Sequence, residues 1–175
     1  NITNPGDTFE ITSTHYGPHH GPQALVLEGV GMAEIAGSTP YPEPSDASGH
    51  LQAGATCVTC HMVDAGDGTG GHTWNPSLTA CTRCHIGATD FDINNRQTNT
   101  QAKLDELRDL LLAAGVIEWV AEDEAYEPVL GTYPMAHAQA FFNWIGLLED
   151  RDLGVHNPRY SEALLNNSIE AMMAN

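Results

Sequence analysis

At 175 residues the chain is one domain by length, and 41% hydrophobic with only 7% aromatic content leaves a thin apolar core for that size. A formal charge of −17, with Lys103 the only lysine, excludes a nucleic-acid or anionic-lipid binder and favours basic partners or divalent cations. No run approaches the roughly eighteen apolar residues of a membrane span, so no transmembrane segment is expected.

The opening Asn1-Ile2-Thr3-Asn4-Pro5-Gly6 reads as a processed start. Residues 1–22, rich in Gly, Pro, Thr and Asn, predict an extended arm that carries His15, His19 and His20 in a proline-stiffened loop. A short helix is expected within residues 24–36. The broken run Thr39-Pro40-Tyr41-Pro42-Glu43-Pro44-Ser45 then reads as a connector lying along a surface, so that 1–45 forms arm and connector.

Residues 46–95 hold the chemistry. Cys57-Val58-Thr59-Cys60-His61 and Cys81-Thr82-Arg83-Cys84-His85 are each C-x-x-C-H, the attachment signature of a c-type haem. Two thiols a helical turn apart add across the vinyl groups of one porphyrin, and the histidine that follows is carried onto the iron as proximal ligand. The four cysteines also fit the spacing of a zinc ribbon, or a pair of disulfides in an oxidising compartment. Neither alternative explains a histidine after both second cysteines, nor seven further histidines. Two covalently bound haem c groups are therefore expected, supplying the apolar core that the composition lacks. Covalent haem attachment takes place outside the cytoplasm, which places the protein in the periplasm or outside the cell. Between the motifs, Asp64 and Asp67 sit in a turn-rich acidic loop without the ligand spacing of a calcium-binding EF-hand.

Residues 96–175 read as helical. Thr98-x-x-Gln101 predicts a capping box, followed by a stripe of Leu104, Leu107, Leu111 and Ala114 that ends at Gly115. A second helix is expected from near Pro134 to Gly154, with His137, Phe141, Trp144 and Leu148 on its apolar face. A third begins at Asn157-Pro158, an N-cap followed by proline at the first helical position, and carries Leu165, Ile169 and Met172. Strand signals are sparse. The fold class predicted is mostly α: a loop-rich multihaem cytochrome c domain with about three C-terminal helices and an extended N-terminal arm. Sequons at Asn1-Ile2-Thr3 and Asn166-Asn167-Ser168 hint at surface glycosylation.

With His61 and His85 proximal, the sixth ligand decides the chemistry. An open position admits substrate, a second histidine makes an electron carrier, and methionine raises the potential. The histidine excess predicts bis-His ligation. His156 is rigidly aimed by Gly154 and the pre-proline Asn157. His50 lies in a small-residue stretch before the first motif, His72 follows two glycines, and His137 reads as a core histidine beside a haem. One of His15, His19 and His20 completes the candidates. Trp74 and Trp144 read as aromatics packing on the haems.

The stretches His20-Gly21-Pro22-Gln23, Cys57 to Met62, Gly71-His72-Thr73-Trp74 and His137 through Pro158 together resemble the C-terminal half of multihaem cytochromes related to ammonia-forming cytochrome c nitrite reductase. The resemblance covers roughly residues 15–170 in islands. It implies that His156 ligates the haem on His61 and that His50 ligates the haem on His85. It also implies that His72 serves a haem further upstream, which this chain lacks. The C-x-x-C-K motif of the nitrite-reducing centre is missing too, which withdraws support for nitrite reduction. His72 and His20 are left as alternative distal ligands, or as ligands in trans to a neighbouring copy. The function expected is one-electron transfer through two bis-His haems, in extracellular electron transfer or as a subunit of a polymeric haem wire, between redox proteins or copies of itself. The alternative is a dihaem peroxidase or small reductase with one open haem.

Overall fold

The computed structural model describes residues 6–18, 20–44 and 48–174. His19 and the Asn1 sequon lie outside them. The molecule is α-rich and loop-rich, with seven α-helices and four short strands among the described residues.

Three long helices, α5 (Arg96–Ala113), α6 (Met135–Asp150) and α7 (Pro158–Met173), pack on one another and form the core. From α5 come Leu104, Leu107 and Leu111; from α6, Phe141, Trp144 and Leu147; from α7, Leu164, Leu165 and Ile169, all buried. Leucines three and four apart fall on one face of a helix, which is why the α5 stripe finds the core. Gly115, with φ +67°, closes α5 in the left-handed conformation that glycine adopts without strain. Asn157 caps α7 as its sequence requires: its Oδ1 accepts the Tyr160 N–H at 3.1 Å, and Pro158 fills the first turn. Glu162 of α7 answers both Arg96 (3.3 Å) and Lys103 (3.5 Å) of α5.

Several expectations need correction. Thr98 does not cap α5; it lies inside the helix and donates its hydroxyl to Asp92, whose Oδ1 accepts the Gln97 N–H at 2.7 Å and the Thr98 N–H at 3.1 Å. Asp92 outcompetes threonine because it offers an ionised acceptor to two free N–H groups of the first turn. Ala114 and Leu148 are exposed: the α5 stripe ends at Leu111, and the buried face of α6 continues through Leu147, not Leu148. Trp144 packs on Phe141 and Tyr126 and donates its Nε1–H to the Leu104 carbonyl at 3.0 Å, which makes it a residue of the helical core. Asn166 spends its amide on Thr39 Oγ1 (3.0 Å), which removes that sequon from the free surface.

The strands pair in twos. β1 (Thr8–Ile11), inside the arm, is antiparallel to β4 (Gly131–Pro134), and β2 (Ile117–Val120) is antiparallel to β3 (Ala125–Pro128). The arm is thereby stitched to the start of α6, and Ile11 reaches the core. The expected helix in residues 24–36 shortens to α1 (Gln23–Glu28), ended by Gly29.

The connector after α1 is held by buried polar side chains. Fully buried Asn143 accepts the Ala33 N–H at 2.8 Å and donates to the Ala33 carbonyl at 2.7 Å and to Ser168 Oγ at 3.1 Å. Asn167 repeats the arrangement on Thr39, accepting its N–H (3.0 Å) and donating to its carbonyl (2.9 Å). A side chain at Gly37 would collide with Asn167, a Cβ there falling 2.4 Å from Oδ1. These amides satisfy a chain segment that forms no helix or sheet of its own.

Candidate functional site

The first cysteine motif folds as a single helical turn, α3 (Cys57–His61); the second begins in the last turn of α4 (Leu78–Thr82) and runs on into the turn beyond it, side by side with α3. Thr56 begins α3, its N–H donating to Thr59 Oγ1 at 3.1 Å, and Ser77 begins α4 by accepting the Thr79 N–H at 3.2 Å. The C-x-x-C spacing sets each cysteine pair one turn apart, the Cys84 and His85 N–H groups donating to the Cys81 carbonyl at 3.1 and 2.8 Å. None of the four cysteines forms a disulfide. Burial raises the Cys60 thiol, and the neighbouring Cys57 and Cys84 raise it further; Cys81 is raised by burial and by Cys60. The thiols of one motif thus feel those of the other. They do not converge as a zinc site would: among the described residues the one close cluster of three His, Cys, Asp or Glu ligand atoms is Asp150, Asp152 and His156. Asp64 and Asp67 are occupied in local turns, accepting from Gly66 and Thr69.

Four histidines meet in two pairs. The rings of His61 and His156 have centroids 6.3 Å apart, and those of His50 and His85 6.1 Å. Two metal–imidazole bonds of about 2 Å, plus about 1 Å from each bonding nitrogen to its ring centre, span roughly 6 Å. Each gap therefore fits one metal ion between two imidazoles, as a bis-His haem requires, with a free cysteine pair beside it. The apolar surface around the motifs (Val58, Trp74, Ile86 and Phe91, all exposed) fits the same group, since a porphyrin needs apolar cover.

Each ring of the first pair is oriented through its other nitrogen. His61 Nδ1 lies 2.7 Å from the Trp74 carbonyl, which can only accept, so the proton sits on Nδ1 and Nε2 is left as a ligand atom. Trp74 holds that carbonyl from a left-handed position, φ +58°, and its ring lies 6.1 Å from the His61 ring. On the opposite side, His156 Nδ1 is 2.8 Å from Asp150 Oδ1 and 3.3 Å from Asp152 Oδ2. Burial by itself would lower the His156 pKa, but the two carboxylates outweigh it and raise the ring above its ordinary value. Burial pushes Asp150 upward as well, against the pull of His156, and the neighbouring Asp152 pushes it further.

The loop carrying His156 is set by backbone. Asp152 accepts the Gly154 N–H (2.7 Å) and the His156 N–H, and Gly154, with φ +83°, passes so close to α5 that a Cβ would meet Thr100 Oγ1 at 2.7 Å. Ser48, buried and unremarked in the sequence, joins the two pairs: its hydroxyl donates to the His156 carbonyl at 2.9 Å and accepts the His50 N–H at 3.2 Å. Only its position before His50 could have signalled it, as the N-cap of α2 (Gly49–Gln52).

The other candidates lie elsewhere. His72 is exposed on a single 3₁₀ turn, Gly71–Thr73. His20 pairs with Glu149 at 3.2 Å with its ring largely exposed, and His15 contacts Thr14. His137 is half-buried on α6, and burial lowers its pKa. No helix among the described residues is long and apolar enough to cross a membrane.

No curated protein and no solved structure matches the chain. The family model described as cytochrome c552 matches residues 38–175, a span that takes in both cysteine motifs and all four paired histidines and agrees with the resemblance to nitrite-reductase cytochromes. On that match, carried by a site shaped for covalent haem, the chain belongs to the cytochrome c552 family, c-type cytochromes of electron transfer or nitrite reduction.

Proposed function

We propose that this chain is a dihaem electron-transfer protein working outside the cytoplasm, with each iron held between two imidazoles of the same polypeptide. Cys57 and Cys60 would hold one haem, with His61 and His156 as its ligands, and Cys81 and Cys84 would hold the other, with His85 and His50. The observation that carries this reading is the pair of ring spacings, 6.3 and 6.1 Å.

Haem c supplies a one-electron couple. The chain's own residues hold it rigidly and close off its faces. Imidazole on both sides leaves no position for substrate, and the acidic surface favours the more positive oxidised state, so potentials below those of His/Met cytochromes follow. With His156 and His50 as the distal ligands, the haems of these two motifs would take no ligand from His72, His20 or His15. Assembly into a polymeric wire would then rest on surface contacts rather than exchanged ligands. The charge favours basic redox partners.

The reductase relationship of the family keeps catalysis as the second reading, and it requires one open iron. Carbon monoxide separates the two. The reduced wild-type protein is expected not to bind it, whereas His156→Ala and His50→Ala are each expected to open one haem to it. Stoichiometric binding by the wild type would replace the carrier reading with an enzymatic one.

A further inference from the structure

We propose that Asp150 is a positioning residue acting through His156, making the two haem sites unequal and holding the one at Cys57–His61 at the lower potential. The inference rests on the ligand pairing proposed above.

In the His61–His156 pair both rings have their second nitrogen engaged: His156 by Asp150 Oδ1 at 2.8 Å, His61 by the Trp74 carbonyl at 2.7 Å. The Asp150 side chain is fully buried, and its Oδ2 meets no hydrogen-bond donor. Its Oδ1 faces the His156 imidazole, and the Asp152 carboxylate lies beside it, so the negative charge of this acidic pair is turned toward one ring. Asp152 differs, because its carboxylate also accepts two backbone N–H groups. In the His50–His85 pair, among the described residues, no hydrogen bond engages either ring nitrogen, and His85 is exposed.

An imidazole that donates N–H to a carboxylate is the more basic and electron-rich ligand. The oxidised iron carries one more positive charge than the reduced one. Negative charge on the buried Asp150–Asp152 pair, one ring away, stabilises it through a medium far less screening than water. Both effects favour the oxidised state at the first site and neither acts at the second. With both haems bound, the site held by Cys57 and Cys60 would be the electron donor of the pair and the site held by Cys81 and Cys84 the acceptor.

The test is Asp150→Asn in the full haem-loaded chain, followed by redox titration with low-temperature EPR. Asparagine keeps the shape and an acceptor oxygen while removing the charge. Two low-spin signals should persist. The lower-potential one should shift about tenfold toward the reduced form at fixed potential, about 59 mV for one electron, while the other moves less than about twofold. Two retained signals with unshifted potentials, or with both shifted equally, would overturn the inference while leaving the ligand pairing intact. A wild-type protein lacking two low-spin haems would remove the pairing and the inference together. Should the variant not load haem, NMR of the oxidised wild type decides. The axial N–H resonances of one haem should exchange with D2O much more slowly than those of the other, and four alike would overturn the claim.

Discussion

The two halves of this chain solve the problem of a core differently. In residues 96–173 three helices bury Leu104, Leu107, Leu111, Phe141, Trp144, Leu147, Leu164 and Leu165 against one another, and the segment is its own solvent. Within residues 49–95 only Gly70 and Ser77 are buried, while Val58, Trp74, Ile86 and Phe91 stand exposed. A stretch of 47 residues with no apolar interior of its own is held by short turns and by what it attaches to. On the proposed ligand pairing, the haem-attachment segment borrows its interior from the cofactor, while the helical segment supplies the wall on which His156 would hold it.

The sharpest way to break the comparison is to block attachment. Replacing all four cysteines by alanine should leave the helical segment intact by circular dichroism while limited proteolysis cuts freely within 49–95. Equal protection of both halves would contradict the account. Next in size, Leu107→Ala, at a fully buried position, should cost about 2–5 kcal/mol in denaturant unfolding of the loaded protein. It should leave the optical spectrum unaltered, because the core it damages is not the haem's.

The smallest effect is electrostatic. Burial opposes ionisation of Glu162, but Arg96 and Lys103 outweigh it and hold its pKa below the usual glutamate value. A carboxyl depressed in the folded state binds fewer protons there than when unfolded. Its contribution is therefore present above the ordinary glutamate pKa and is lost as pH falls through the folded one. With the side chain 41% exposed, solvent limits the pair to less than about 1 kcal/mol. Glu162→Gln should flatten the stability profile below about pH 4.5, as followed by thermal melts.

What the sequence made legible follows the same division. Local and periodic signals survived: the haem motifs, the leucine stripe of α5 and the Asn157-Pro158 cap each depend on residues a few positions apart. The misses depend on distant partners. Asn143 reads as an ordinary polar residue until Ala33, 110 positions away, comes to it, and Asn167 clamps Thr39 across 128 positions. β1 has only four residues and pairs with a strand more than a hundred positions on, so no local alternation announces it. Asp150 reads as the polar end of a helix; only the turn back to His156 puts its carboxylate on an imidazole. The resemblance to nitrite-reductase cytochromes named the partners of His61 and His85, and the ring spacings support that assignment without depending on it.

The most direct measurement of the central claim is near-infrared magnetic circular dichroism of the oxidised protein alongside a pyridine haemochrome count. Two haems per polypeptide, each giving the charge-transfer band of an iron with two imidazole ligands, is the predicted result. A high-spin five-coordinate centre, or fewer than two haems, would contradict it.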